Sequence, residues 1–247
     1  MRVRILGNGG AISNGLPYNS LIIDDTILVE TPPDIMNSLF RENIPVDSIE
    51  NIYISHMHGD HTFGFPFLAL RIFYDSIRYN RIQPVTVYLP SGGDEYLNNL
   101  MKSALSSEHP CIRWINENWK FINTSLCDKF NIYDYTFRLY RMEHPLETYG
   151  FAACKNSMAV FAYTADTIWC RSVEEIIGTG AGVILLDMNG EPDDPMPVHM
   201  GEKDVFDKGF SLLKSGTTLY GMHLKISKVS IDKRIKYPNP GDIIYAV

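Results

Sequence analysis

The chain has 247 residues and a formal net charge of −7, with 45% hydrophobic and 21% charged residues. That length buries a substantial core, and the acidic balance argues against a surface that coats nucleic acid. No apolar run approaches the roughly 20 residues of a membrane span, and the basic start "MRVRILGNGG" breaks at Gly7, too early for an export signal.

Taken in chain order, "MRVRIL" alternates as a strand and runs into the glycine-rich turn "GNGGAISNG". The spacing of those glycines fits neither a Walker loop nor a dinucleotide fingerprint, so the turn reads as a tight strand-to-strand connection, with Asn8 a candidate to face a pocket. "SLIIDDTILVE" reads as a hairpin folded at Asp24-Asp25. Two prolines before Ile35, Met36, Leu39 and Phe40 open a helix. A strand "IENIYIS", a helix over 66–79, a strand "PVTVYLP" and a helix over 94–105 follow. The aromatic set Phe63, Phe65, Phe67, Phe73 and Tyr74 reads mainly as core, with Phe63 or Phe65 at a pocket mouth. Residues 91–130 join the two halves as a lid or a packed connector.

The middle is strand-rich: "WKFIN", "FNIYDYTFRLYRM", "YGFAAC" and "MAVFAYT". "SVEEIIGTG" is a helix closed by glycine, "GVILLDM" a strand, and "GEPDDPMPVHMG" a loop rich in proline and charge. A helix over 202–216 and two late strands, "TTLYGMH" and "DIIYAV", complete the chain. This order predicts one α/β domain over 1–247, with two sheets inside and helices outside. Cys111, Cys127, Cys154 and Cys170 are widely spaced with no CxxC pair, which reads as free thiols in a reducing, cytoplasmic setting.

The chemistry concentrates in "HMHGDH", where His56, His58, Asp60 and His61 fall within six residues after a strand. Imidazole and carboxylate suit zinc and other divalent transition metals. Four such groups in so short a loop exceed what one tetrahedral ion takes, and a pair of ions would divide them. Partners stand at other strand ends: His144 closes "TFRLYRMEHP", Asp166 follows "MAVFAYTA", and His223 closes "TTLYGMH". Strand ends converge on one edge of a sheet. His199 lies in a loop before a helix, and His109 reads as an exposed loop residue.

"HMHGDH", the later histidine, "YTADT" and "GMHL", together with "ILGNGGA" and "PGDIIYAV", resemble the metallo-β-lactamase superfamily over nearly the whole chain. The resemblance implies an αββα sandwich, two mixed sheets packed face to face with helices outside. It implies a first metal on His56, His58 and His144, a second on Asp60, His61 and His223, and Asp166 bridging both. The cofactors expected are two divalent ions, zinc first, with manganese or iron also suited, and a hydroxide between them as nucleophile. His199 in "PVHMGEKDV" resembles the phosphodiesterase branch, which includes the tRNase Z type and the cyclic-phosphate phosphodiesterase of the carbon–phosphorus lyase pathway. There the histidine meets the scissile phosphate and helps the leaving oxygen depart, so Asp60 and His199 are the catalytic candidates, with Glu202 a candidate to orient His199.

Two departures narrow the substrate. The stretch from His144 to Asp166 has no room for the flexible arm with which some tRNA-processing relatives bind, and no cysteine-rich zinc cluster is present near the start. Glu30 stands where relatives commonly carry aspartate and is expected to support the ligand loop. The expected function is a dinuclear metal-dependent hydrolase of small or cyclic phosphodiesters. Alternatives are a thioester or lactone hydrolase, a tRNA 3′-processing nuclease, and a non-catalytic metal sensor. Extended nucleic acid is the less favoured partner, no membrane association is expected, and a homodimer is allowed by analogy.

Overall fold

Side chains that alternate between two buried faces set the layers. The computed structural model describes residues 1–191, 194–229 and 232–247. Among them, β1 (Arg2–Gly7), β2 (Ser20–Ile23), β3 (Ile27–Val29), β4 (Asn51–Tyr53), β5 (Thr86–Leu89) and β6 (Lys120–Asn123) form one sheet with the last strand, β14 (Ile243–Tyr245). β7 (Lys129–Ile132), β8 (Tyr135–Arg141), β9 (Tyr149–Lys155), β10 (Met158–Tyr163), β11 (Val183–Asp187), β12 (Thr218–Met222) and β13 (Ile235–Lys236) form the other. Val3, Ile5, Leu21, Ile23, Phe161 and Leu185 point into the space between the sheets. Their neighbours Leu6, Ile22 and Leu28, and Ile184 and Leu186, point outward, as the two-residue period of a strand requires.

The outward faces are covered by helices. Leu39 of α1 (Ile35–Arg41), Leu68 of α3 (Phe65–Arg78), Leu97 of α4 (Gly93–Leu105) and Ile115 of α5 (Pro110–Asn118) pack on the first sheet. Val173 and Ile176 of α6 (Arg171–Gly178) and Val205 of α7 (Glu202–Asp207) pack on the second. An aromatic chain ties the layers: Tyr53 from the first sheet meets Phe151 edge-on at 5.0 Å, and Tyr88 stacks on Phe130 at 4.1 Å. Such pairs add about 0.5–1.5 kcal/mol each beyond burial. The αββα sandwich expected from the sequence is the architecture observed.

Several elements differ from the sequence reading. "FNIYDYTFRLYRM" is two strands, turned at Tyr133 in the left-handed region (φ 52°). Residues 91–130 are a packed connector: α5 buries Cys111, Ile112 and Ile115. His109 caps that helix, its Nδ1 accepting the Cys111 amide at 3.2 Å. The helix expected over 202–216 stops at Asp207 and gives way to a 3-10 turn, Gly209–Leu212. Gly209 sits under Trp169, where a methyl group would come within 3.2 Å of the ring. Of the loop expected over 190–201, residues 192 and 193 lie outside the described residues. No helix among the described residues is long and apolar enough to cross a membrane.

Candidate metal centre

Parallel pairing brings the chemistry to one edge. β10, β11 and β12 run parallel, so their C-terminal ends, carrying Asp166, Asp187 and His223, stand side by side. Opposite them, β4 runs parallel to β3 and β5 and ends just before His56. The motif then turns into a short helix, α2 (Gly59–Thr62), which presents Asp60 and His61. The Phe63 ring packs over Gly59, where a methyl group would stand 2.6 Å from it, so a side chain there would turn that ring aside. Phe63 is half-exposed, whereas Phe65 is buried in the core, so Phe63 is the one at the surface beside the motif. Phe73 is also buried, but Phe67 and Tyr74 are half-exposed rather than core.

The seven expected ligands come together in two overlapping groups, His56, His58, His144 and Asp166, and Asp60, His61, Asp166 and His223. In the first, His56 Nε2 and His144 Nε2 lie 3.0 and 3.2 Å from His58 Nδ1, and His56 Nε2 lies 3.8 Å from Asp166 Oδ2. In the second, His223 Nε2 lies 3.2 Å from Asp60 Oδ2 and 3.4 Å from Asp166 Oδ2. His61 Nε2 lies 3.6 and 3.5 Å from the same two oxygens. Ligands about 2.0–2.1 Å from a tetrahedral cation stand about 3.3–3.4 Å apart, and these separations, from 3.0 to 3.8 Å, lie around that value. Asp166 Oδ2 belongs to both.

The electrostatics fit the same ions. His61 Nε2 and Asp166 Oδ1 are buried without a hydrogen-bond partner among the described residues, although buried polar atoms seldom go unpaired. Burial alone would raise Asp166, but the His223 and His61 rings beside it hold its carboxyl well below its usual value. Burial alone would lower His223, yet Asp166 and the carboxylates of Asp187 and Asp60 push it up to about 10. His56 is held well below its usual value by burial and by His61. Positive charge is thus favoured beside these buried carboxylates, where cations would sit.

The backbone is strained around these groups. Glu30, Ala165 and His223 have φ of 66, 57 and 58°, a region that costs a non-glycine residue about 1–3 kcal/mol and persists where the surroundings hold it. Glu30 is fully buried. Its carboxylate accepts the Ser55 amide at 3.2 Å and the Tyr163 hydroxyl at 3.3 Å, and lies 3.4 Å from His61 Nδ1. That is the support for the ligand loop expected of it. Gly10 abuts His223, where a methyl group would come within 3.1 Å of the ring. Asn8 faces elsewhere, donating to the Pro238 carbonyl at 2.7 Å.

His199 joins the group through a residue the sequence reading did not single out. Its Nδ1 lies 2.8 Å from Asp187 Oδ2, and its ring stands between those of His144 and His223, with centroids 5.6 and 4.9 Å away. Burial lowers the His199 pKa, and the bond to Asp187 more than restores it, raising it above the ordinary value. Asp187 is itself fixed by the amides of Thr167 and Asn189, both at 3.0 Å. Glu202 does not orient His199: it takes the Tyr237 hydroxyl and pairs with Lys228 at 3.8 Å.

Known proteins resemble this chain in fold and in sequence. The ribonuclease Z of Ligilactobacillus salivarius is 31% identical over 125 residues, covering 49% of this chain and 34% of that protein. The chain spans about a third to a half of the length of the curated relatives it matches first. Among solved structures, the metallo-β-lactamase fold protein YhfI of Bacillus subtilis aligns over 98% of both chains with a TM-score of 0.73 at 16% identity. Human tRNase Z, short form, aligns over 100% of both with a TM-score of 0.73 at 16% identity. These matches bear out the metallo-β-lactamase fold that the sequence motifs resemble. A family match described as anti-Pycsar protein Apyc1 extends over residues 1–210, and the chain belongs to that family.

Proposed function

We propose that the protein is a dinuclear metal-dependent hydrolase that cleaves small or cyclic phosphodiesters. The observation that carries this reading is the pair of donor sets at coordination-shell spacing, sharing Asp166 Oδ2 and flanked by a histidine held on a carboxylate. His56, His58 and His144 would hold one divalent cation, Asp60, His61 and His223 the other, with Asp166 common to both; zinc suits the donors first, and manganese or iron also suits them. Such cations supply an activated water nucleophile near neutral pH and positive charge for the phosphoryl oxygens. Asp60 combines a ligand's place with hydrogen-bond capacity towards that water. His199, with Nδ1 committed to Asp187, keeps Nε2 for the leaving oxygen, which departs as an alkoxide unless it receives a proton.

The size of the substrate is read from the connection between ligands. Between His144 and Asp166 the chain forms only the β9–β10 hairpin, closed by Asn156 and Ser157 at φ 50 and 68°. No arm projects there to grip an extended nucleic acid, and the net charge is −7. This weighs against the tRNA 3′-processing nuclease that the sequence left as an alternative. A thioester expels a thiolate, which departs without a proton, and a non-catalytic sensor expels nothing, so a histidine held on Asp187 favours a substrate that releases an alkoxide, as a phosphodiester or a lactone does. Homodimerisation belongs to the same proposal, with the exposed apolar side chains Phe67, Tyr74 and Ile77 of α3 as the surface to test.

The experiment is turnover of bis(p-nitrophenyl) phosphate and of cyclic and linear diesters with added manganese or zinc. His199→Ala is expected to abolish most turnover of diesters that expel an alkoxide, and to slow bis(p-nitrophenyl) phosphate far less, while metal content stays at the wild-type level. Near-normal turnover of an alkoxide-expelling diester in that variant would refute the assignment.

A further inference from the structure

Asn189 is buried, with 5% of its surface exposed, and its side chain lies against His223. His223 turns Nε2 towards Asp60 and Asp166, the place proposed for the second cation. A histidine that binds a cation through Nε2 carries its proton on Nδ1 and needs an acceptor there to fix the ring. Two groups are near Nδ1: the Asn189 amide at 3.3 Å and Asp187 Oδ1 at 3.7 Å. The second distance is beyond hydrogen-bond length, and that oxygen already accepts the Asn189 backbone amide.

As placed, Asn189 presents Nδ2 to His223, so two N–H groups would oppose each other once Nε2 is ligated. Its Oδ1 meanwhile is buried without a hydrogen-bond partner among the described residues. The two ends of a carboxamide have nearly the same shape, and their assignment follows from the hydrogen bonds they make. We infer that Asn189 is the positioning residue for the second cation, turning its amide so that Oδ1 accepts the proton of His223 Nδ1. The exchange replaces a donor–donor contact with a hydrogen bond to a cation-bound ring and gives Oδ1 a partner. Gly10 leaves room for it: a methyl group there would lie 2.9 Å from the amide.

This inference rests on the reading of His223 as a metal ligand, and the test separates the two. Chelator-stripped protein is titrated calorimetrically with zinc, for the wild type, Asn189→Leu and Asn189→Asp, after circular dichroism and thermal melting confirm that each is folded. The expected result is two zinc ions on the wild type. Asn189→Leu should weaken one of them about 10- to 100-fold, the usual effect of losing such a partner, and leave the other unchanged. Asn189→Asp, which keeps an acceptor at the same place, should return the affinity to within a few-fold of the wild type. If the wild type takes up no second zinc, the reading of His223 fails. If Asn189→Leu binds both ions as tightly as the wild type, or if Asn189→Asp loses as much as Asn189→Leu, His223 has another acceptor and the inference is overturned.

Discussion

Replacing Asp187 by asparagine tests the role of His199 while leaving every proposed ligand in place. The carboxylate uses both oxygens: Oδ2 accepts the Thr167 amide at 3.0 Å and faces His199 Nδ1 at 2.8 Å, and Oδ1 accepts the Asn189 amide at 3.0 Å. Whichever way the new carboxamide turns, its NH2 must face a backbone N–H. The less damaging choice still replaces a charge-assisted bond to His199 with a neutral one. Bonds to charged groups contribute about 1.5–3 kcal/mol, which corresponds to about 10- to 150-fold in rate if the bond serves the transition state. The assay compares two diesters, one expelling a stable phenolate and one expelling an alkoxide. A donor to the leaving oxygen matters only for the second, so kcat on the alkoxide substrate should fall by that factor and kcat on the phenolate substrate far less. An equal loss on both, or no loss on the alkoxide substrate, would refute the assignment of His199 as the acid.

Further predictions concern the scaffold. Glu30→Gln removes a buried carboxylate that takes the Ser55 amide and the Tyr163 hydroxyl. It should lower stability in urea denaturation by about 1–3 kcal/mol, and an unchanged midpoint would contradict the network. Gly64→Ala places a methyl group 2.0 Å from the Pro32 carbonyl, directly after α2. It should displace Asp60 and His61 and abolish tight zinc uptake at that pair, and wild-type titration would count against the packing. Burial pushes the Cys111 thiol up to about 12, while Cys127 is partly exposed. Native protein treated with iodoacetamide should therefore be modified first at Cys127, with Cys111 silent until unfolding, as read by peptide mass spectrometry.

That the seven proposed ligands meet was legible because each stands in the contiguous motif or near the end of a strand. Asp187 ends a strand in the same way, in "GVILLDM", but nothing local distinguishes it from an acid that merely stops an apolar run. Its role appears only when parallel pairing sets β11 between β10 and β12. Helix α5 was missed although Pro110 at its first turn is a start signal, because the polar run before it reads as loop. The helix after Gly201 was overextended because helical spacing continues past Asp207, whereas Gly209 packs under Trp169 from a distant segment. The pairing of β14 with β1 joins the two ends of the chain, and local pattern carries no record of such a contact.

The most direct test is anomalous diffraction from crystals of zinc-loaded protein, collected on both sides of the zinc edge. Two peaks about 3.5–4 Å apart are predicted, one among His56, His58 and His144, the other among Asp60, His61 and His223, with Asp166 touching both. A single peak, or a second peak remote from His61 and His223, would contradict the dinuclear centre on which the proposed chemistry depends.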